Sequence, residues 1–153
     1  MGRFKSSYPE HRLYEDAVTL HALADITVSA NGTIEAELPD CKAIVFAAFI
    51  SPASLVGDTI DLYIQTYLPD GSINNWVDVV HFTQIVGNAG APAEMVAKIS
   101  ADAAEAEFNI LTALGAAAVR NIFGSKWRIR SVVADGGGTH TFTTSVVAYP
   151  IGR

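Results

Sequence analysis

Histidine is the residue type best suited to proton transfer and metal ligation, and the chain has four: His11, His21, His81 and His140. They lie in separate segments with no His-x-x-x-His spacing. The single Cys41 has no second thiol with which to share a metal or close a disulfide. The histidines are therefore expected to be sheet or surface residues, and Cys41 a small, at least half-buried apolar one. Asp58, Asp61, Asp70 and Asp78 offer oxygen ligands but lack the alternating spacing of a calcium loop, so solvated loop carboxylates are expected. Asp135 and the three glycines after it resemble a phosphate loop only in being glycine-rich, since the loop's lysine is missing and the run sits between strand-like segments. A Gly-x-Ser-x-Gly elbow for a serine nucleophile does not occur. No catalytic, cofactor-binding or metal-ligating residue is assigned, no cofactor is implied, and an enzyme is the least expected reading. Tyr63, Tyr67 and Trp76 would form a platform for sugar rings if exposed on one surface, which is the carbohydrate-binding alternative.

The elements that must carry these residues are short runs rich in Val, Ile, Thr and Phe, separated by turn residues from position 18 onward. Such spacing predicts an all-β fold, an antiparallel β-sandwich of jelly-roll or immunoglobulin-like type. Asn31-Gly32 between two alternating runs predicts a tight hairpin, with Ala24, Ile26 and Val28 facing the core opposite Ile34, Ala36 and Leu38. The run KAIVFAAFI is apolar on both faces, as a central strand or one covered by a neighbouring subunit would be. In DLYIQTYLPDGSINNWVDVVHFTQ, Leu62, Ile64 and Leu68 alternate with polar and tyrosine positions. Pro69, Asp70 and Gly71 make a turn there, and the segment closes a hairpin. Trp76 is expected to bury its ring at the sandwich edge, where Trp76→Ala would cost about 3–5 kcal/mol. Residues 101–120 are rich in helix-favouring Ala, Glu and Leu but hold no clean 3.6 period, so at most one short helix is expected there, and a strand around 95–100 is equally compatible. After Gly124, Trp127, Ile129 and Val133 should face one side and Lys126, Arg128 and Arg130 the other. Phe142, Val146 and Ala148 of the last strand are further core positions.

Size and charge bound the function. The chain of 153 residues is 50% hydrophobic and 17% charged, enough for one domain with a real core. No apolar run of membrane-spanning length and no leader-like h-region occurs, so neither membrane insertion nor secretion is expected. Between positions 13 and 119 stand fourteen acids and two bases, Lys42 and Lys98, while the remaining bases lie toward the ends. An acidic body repels phosphate backbones, so nucleic acid is not an expected partner. Residues 1–12 are polar and aperiodic, with Arg3, Lys5 and Arg12 as bases and Phe4 and Tyr8 as free anchors. They read as an N-terminal arm preceding a sandwich domain over 13–153, a basic arm that docks on an acidic protein surface.

The hairpin DLYIQTYLPDGSINNWVDVVHFTQ, the arginine before a glycine in VRNIFGSKWRIRSVV, the glycine-rich turn and the closing strand TFTTSVVAY together resemble the small β-sandwich virion proteins of tailed bacteriophages. The resemblance covers residues 43–149 and rests mostly on turn and core residues. It departs from the pattern at Tyr67 and Leu68, in the insertion Ile73-Asn74-Asn75 and in the Ala-rich segment. It implies a capsid decoration (cement) protein that stabilises the head by binding the major capsid protein or neighbouring virion proteins, with a neck or tail component as the alternative. Such a protein is made in the host bacterial cytoplasm and carried in the virion. A mean hydropathy of +0.27 is high for a small domain and suggests apolar surface shared with other subunits, hence a homo-oligomer, trimer or dimer. The interface residues expected on these grounds are Arg3, Phe4, Lys5, Tyr8, Arg12, Phe46, Phe49, Tyr63 and Tyr67.

Overall fold

A computed structural model describes residues 17–52, 57–69, 75–87, 91–134 and 141–152. Ten strands follow one another: β1 (Val18–Ile26), β2 (Ala30–Asn31), β3 (Ala43–Ser51), β4 (Thr59–Leu68), β5 (Asn75–His81), β6 (Ile85–Val86), β7 (Ala93–Ser100), β8 (Ala118–Val119), β9 (Lys126–Ala134) and β10 (Phe142–Ile151). No helix occurs among the described residues. The first sheet runs β1-β10-β3-β7 and the second β2-β9-β4-β5-β8, with β6 paired to β4, and every pairing is antiparallel. With the two-residue strands β6 and β8 set aside, the other eight interleave between two four-stranded sheets as in a jelly roll, a β-sandwich built from two Greek keys.

The period-two pattern decides which side chains the sheets enclose. From the first sheet Ile44, Phe46, Ile50, Phe142, Val146 and Ala148 point inward, and from the second Leu62, Ile64, Trp127 and Ile129 meet them. Phe46 and Trp127 join the layers, their ring centroids 5.6 Å apart, and Phe123 meets Trp127 edge-on at 5.8 Å. The inward set expected on β9 and β10 is the set observed. KAIVFAAFI is a central strand, held between β10 and β7.

One expectation of the fold fails. Asn31-Gly32 does not turn a hairpin. β1 pairs with β10 in the first sheet, the chain then crosses over, and Ala30 and Asn31 pair with Ser131 and Arg130 in the second. Neither Asn31 nor Gly32 has the positive φ that the turn would need; among the described residues only Ala117, Gly57 and Gly152 do. Gly32 is required for close approach instead: its amide donates to the Ile129 carbonyl at 2.9 Å, and an added Cβ would lie 2.7 Å from Ile129 Cγ1. Ile26 is buried and Ala36 and Leu38 pack partly against the core, but Ala24, Val28 and Ile34 are exposed. No helix forms over 101–120, within the expectation of at most one short one. That stretch is an irregular connection with turns, ending in β8, while β7 takes the strand near 95–100. Its alanines lack a continuous apolar face to bury, and packing overrides propensity.

Gly124 marks the entry to β9, and here the glycine of the phage-like motif gains a physical reason. Its amide donates to Thr66 Oγ1 at 3.0 Å, and that hydroxyl donates onward to the Lys126 carbonyl at 3.0 Å. A Cβ on Gly124 would collide with the Tyr67 carbonyl, a backbone group that cannot swing away. Gly124→Ala is therefore expected to destabilise the fold by about 1–3 kcal/mol, the usual cost of overpacking, read as a lower urea midpoint at unchanged slope.

β1 is an edge strand with register irregularities between Thr19 and His21 and between His21 and Ala24. His21 pairs there with the core residue Val146, and its Nε2 is buried with no hydrogen-bond partner among the described residues. Burial lowers the imidazole below its ordinary value of 6.5, with a backbone hydrogen bond to Ala24 working the other way. A lowered histidine disfavours protonation in the folded state, so its contribution is complete above the unfolded value and is lost as the pH falls below it. Thermal midpoints measured from about pH 7.5 down to pH 5 should fall less steeply for His21→Gln than for the parent chain. Equal slopes would remove His21 from the account.

Candidate functional site: the two outer sheet faces

The outer face of the second sheet brings together basic, acidic and aromatic side chains from three strands. Register aligns three cross-strand rows over β9, β4 and β5: Lys126–Tyr67–Trp76, Arg128–Gln65–Asp78 and Arg130–Tyr63–His81. Directly opposed residues share a face, so each row brings a base from β9 against polar or aromatic groups from β4 and β5. Asp78 is the centre. Its carboxylate accepts from Gln65 Nε2 at 2.8 Å and from Arg130 Nη2 at 3.0 Å, and Arg128 Nε donates to Gln65 Oε1 at 2.9 Å. The two guanidinium groups lie over rings, Arg128 4.1 Å from the Trp76 centroid and Arg130 4.0 Å from the Tyr63 centroid.

Electrostatics follow from this packing. Burial lowers Arg128, opposed by Glu35 and reinforced by the neighbouring charge of Arg130. Burial likewise raises the Tyr63 phenol, with Arg130 drawing it back. Tyr63 also stacks on His81, their centroids 4.0 Å apart. His81 Nδ1 lies 2.8 Å from the Leu114 carbonyl and Nε2 lies 2.9 Å from Asp61 Oδ1. Gln84 Nε2 donates to the other Asp61 oxygen at 2.8 Å.

The irregular segment before β8 is tied to this face. Buried Arg120 donates from Nη1 to the Asp78 carbonyl and from Nη2 to the Thr112 carbonyl, and its guanidinium lies 4.1 Å from the Phe108 centroid. With the His81–Leu114 bond, this sets residues 108–114 against the edge of β5, though Leu111 stays 82% exposed. Arg120 and Gly124 of VRNIFGSKWRIRSVV are thus structural residues: one anchors a loop and the other admits a backbone.

Among the expected interface residues, Arg3, Phe4, Lys5, Tyr8 and Arg12 lie outside the described residues, as do His11, His140 and the Asp135–glycine run. Phe46 is a core residue, wholly enclosed, because even positions of β3 point inward; it offers no surface to a partner. Phe49 is half-buried on the outer face of the first sheet. Tyr67 is half-buried on the second, 5.3 Å from Trp76. Tyr63 is on that same face but only 8% exposed, beneath Arg130 and against His81. Trp76 is not a core anchor either, being half-buried on the outer face with Arg128 over its ring. The sugar platform needed three open rings on one surface, and two of them are covered by guanidinium groups. Among the described residues no group of three or more His, Cys, Asp or Glu side chains converges as a metal site would require.

The outer face of the first sheet is different in kind. Register places Val147, Ala47 and Val96 in one row, Tyr149, Val45 and Lys98 in the next, and Ser145, Phe49 and Glu94 in a third. This is an apolar band on β10 and β3, half-buried by its own neighbours and edged by two opposite charges on β7.

Removing Asp78 leaves Arg130 without its counter-ion and the Gln65 amide without its acceptor, in a place where both partners are largely covered. Asp78→Ala is expected to cost about 2–4 kcal/mol, and Asp78→Asn less because one acceptor survives. In a double-mutant cycle with Arg130→Ala, measured by urea denaturation, a coupling near zero would show that the pair is not a unit.

No protein-family model matches the sequence, and no curated protein does. Among solved structures, the fold is similar to a chain in the structure of infectious bursal disease virus, Gx strain, with a TM-score of 0.55 and 12% sequence identity. The match covers 90% of this chain and 32% of that one, so the chain spans about a third of the length of its viral neighbour. At that identity the likeness is one of fold: a β-sandwich of the kind found in a virus structure.

Proposed function

We propose that the chain is a virion structural protein, of the capsid decoration type, which binds the major capsid protein or its neighbours. The observation that carries this reading is the likeness of nearly the whole domain to part of a chain in a virus structure. The phage origin and the decoration role rest on the motif resemblance alone. The apolar outer band of Val45, Ala47, Phe49 and Val147 supports an assembly role, since a sheet face facing only water ordinarily carries polar residues at alternate positions. The opposite face suits a protein that must stay rigid rather than one that opens for a substrate, because its aromatic rings and carboxylates are engaged with one another. In this reading residues 1–12 are the docking arm, and the protein is made in the host cytoplasm before it joins the head.

Attachment is tested by co-sedimentation of the purified chain with undecorated heads of the virus whose genome encodes it. Saturable binding is expected. Deleting residues 1–12 should leave the thermal midpoint nearly unchanged and weaken attachment, and the intact arm's advantage should shrink as salt rises, because exposed charges are screened over about 8 Å at physiological ionic strength. A truncated chain that decorates heads to full occupancy with unchanged salt response would remove the arm from the account. Failure of the intact chain to bind heads, with binding to isolated necks or tails instead, would favour the tail alternative.

A further inference from the structure

The four ends of the two sheets are not alike. β2 and β8 are two residues long, and β1 carries two register irregularities, all of which blunt an edge against further pairing. β7 is eight residues long and pairs without irregularity to β3 over positions 93–100, yet no strand among the described residues is hydrogen-bonded to its other side, although β8 comes near it. Its inward side chains are Ala93, Met95, Ala97 and Ile99, so it lacks the inward-pointing charge that commonly guards an edge. Val96, at its middle, is 71% exposed.

Hydrogen bonding fixes which backbone groups face the free side. The Ala101 amide donates to the Lys42 carbonyl, toward β3, and the Ser100 amide donates away from it, to Asn121 Oδ1. Alternation along an antiparallel strand then directs the N–H and C=O groups of Glu94, Val96 and Lys98 outward. Antiparallel pairing of this edge with itself has few registers to choose from. Centred on Ala97, it would set Glu94 against Ser100, whose amide is already used. Centred on Met95, it would set Lys98 against Pro92, which has no amide to give. Centred on Val96, it places Val96 opposite Val96 of the second copy and each Glu94 opposite the other copy's Lys98, with the donors and acceptors of these three positions matched and Pro92 meeting Ser100 only at the ends; of the three registers it alone opposes the two charges.

We propose that β7 is a self-pairing edge: two copies of this chain join β7 to β7 in an antiparallel register centred on Val96, which fuses their first sheets into one eight-stranded sheet. The contact is isologous, so it closes at a dimer. It also joins the Val147–Ala47–Val96 rows of the two copies across the seam, with the Glu94–Lys98 pairs on either side. The pairing needs no capsid, so its test is separate from the virion reading.

Sedimentation equilibrium of the full chain, from micromolar to submillimolar concentration, should show a reversible monomer–dimer equilibrium. Glu94→Lys and Lys98→Glu singly place like charges opposite each other at two symmetry-related positions, and each should weaken the dimer about tenfold. The double exchange Glu94→Lys with Lys98→Glu should restore parental affinity. Val96→Pro removes an outward amide that β3 does not use, so it should abolish the dimer while a thermal melt shows the domain still folded. A parent chain that stays monomeric throughout overturns the proposal. So does a dimer whose strength is the same for both single variants and the double exchange.

Discussion

Strand β4 is buried on both of its faces although only one of them meets the other sheet, and much of the rest of the molecule answers to that. From Leu62 to Thr66 every side chain is enclosed. Leu62 and Ile64 lie in the core, whereas Tyr63 and Gln65 point the other way, where no third layer is present among the described residues. Their cover is built from side chains alone. Arg128 and Arg130 reach across from β9, Asp78 and His81 from β5, and Arg120 fastens the irregular segment alongside. Burying such polar groups is tolerable because they largely satisfy one another, with Arg130 Nε left buried and without a hydrogen-bond partner among the described residues.

The same arrangement explains why this face is a poor candidate for chemistry. An aromatic platform for sugars needs open ring faces, and here guanidinium groups occupy two of them. A catalytic carboxylate needs freedom to meet a substrate, and Asp78 is held by an arginine and an amide. The other sheet differs: it has an apolar outer band, and β7 at its end is unpaired on its outer side among the described residues.

Much of the fold was legible because it depends on period two. Alternation gave the sandwich class and the inward set of Trp127, Ile129, Phe142, Val146 and Ala148, while KAIVFAAFI, apolar on both faces, read as either a central strand or one covered by a neighbouring subunit, and it is central. Alternation also separated Lys126, Arg128 and Arg130 from their core-facing neighbours. What they would meet was hidden, because cross-strand partners depend on register, and no local pattern pairs Arg130 with Asp78, fifty-two positions away. Asn31-Gly32 misled for a related reason. The dipeptide carries a strong hairpin signal, but the jelly-roll path sends the chain between sheets at that point, and glycine serves contact with Ile129 rather than a left-handed turn. Trp76 was misread because strand position alone does not say which face a ring takes. The alternation that placed Leu62 and Ile64 inside already set Tyr63 outside, and with it the row partners found on β5.

The central claim is that this domain is a structural component of a virus particle. Immunogold electron microscopy tests it most directly, with antibodies raised against the purified chain and applied to intact virions of the virus whose genome encodes it. The account predicts dense, regular labelling over the head surface. Virions that carry no label, while the same antibodies detect the free protein in infected-cell extracts, would contradict it.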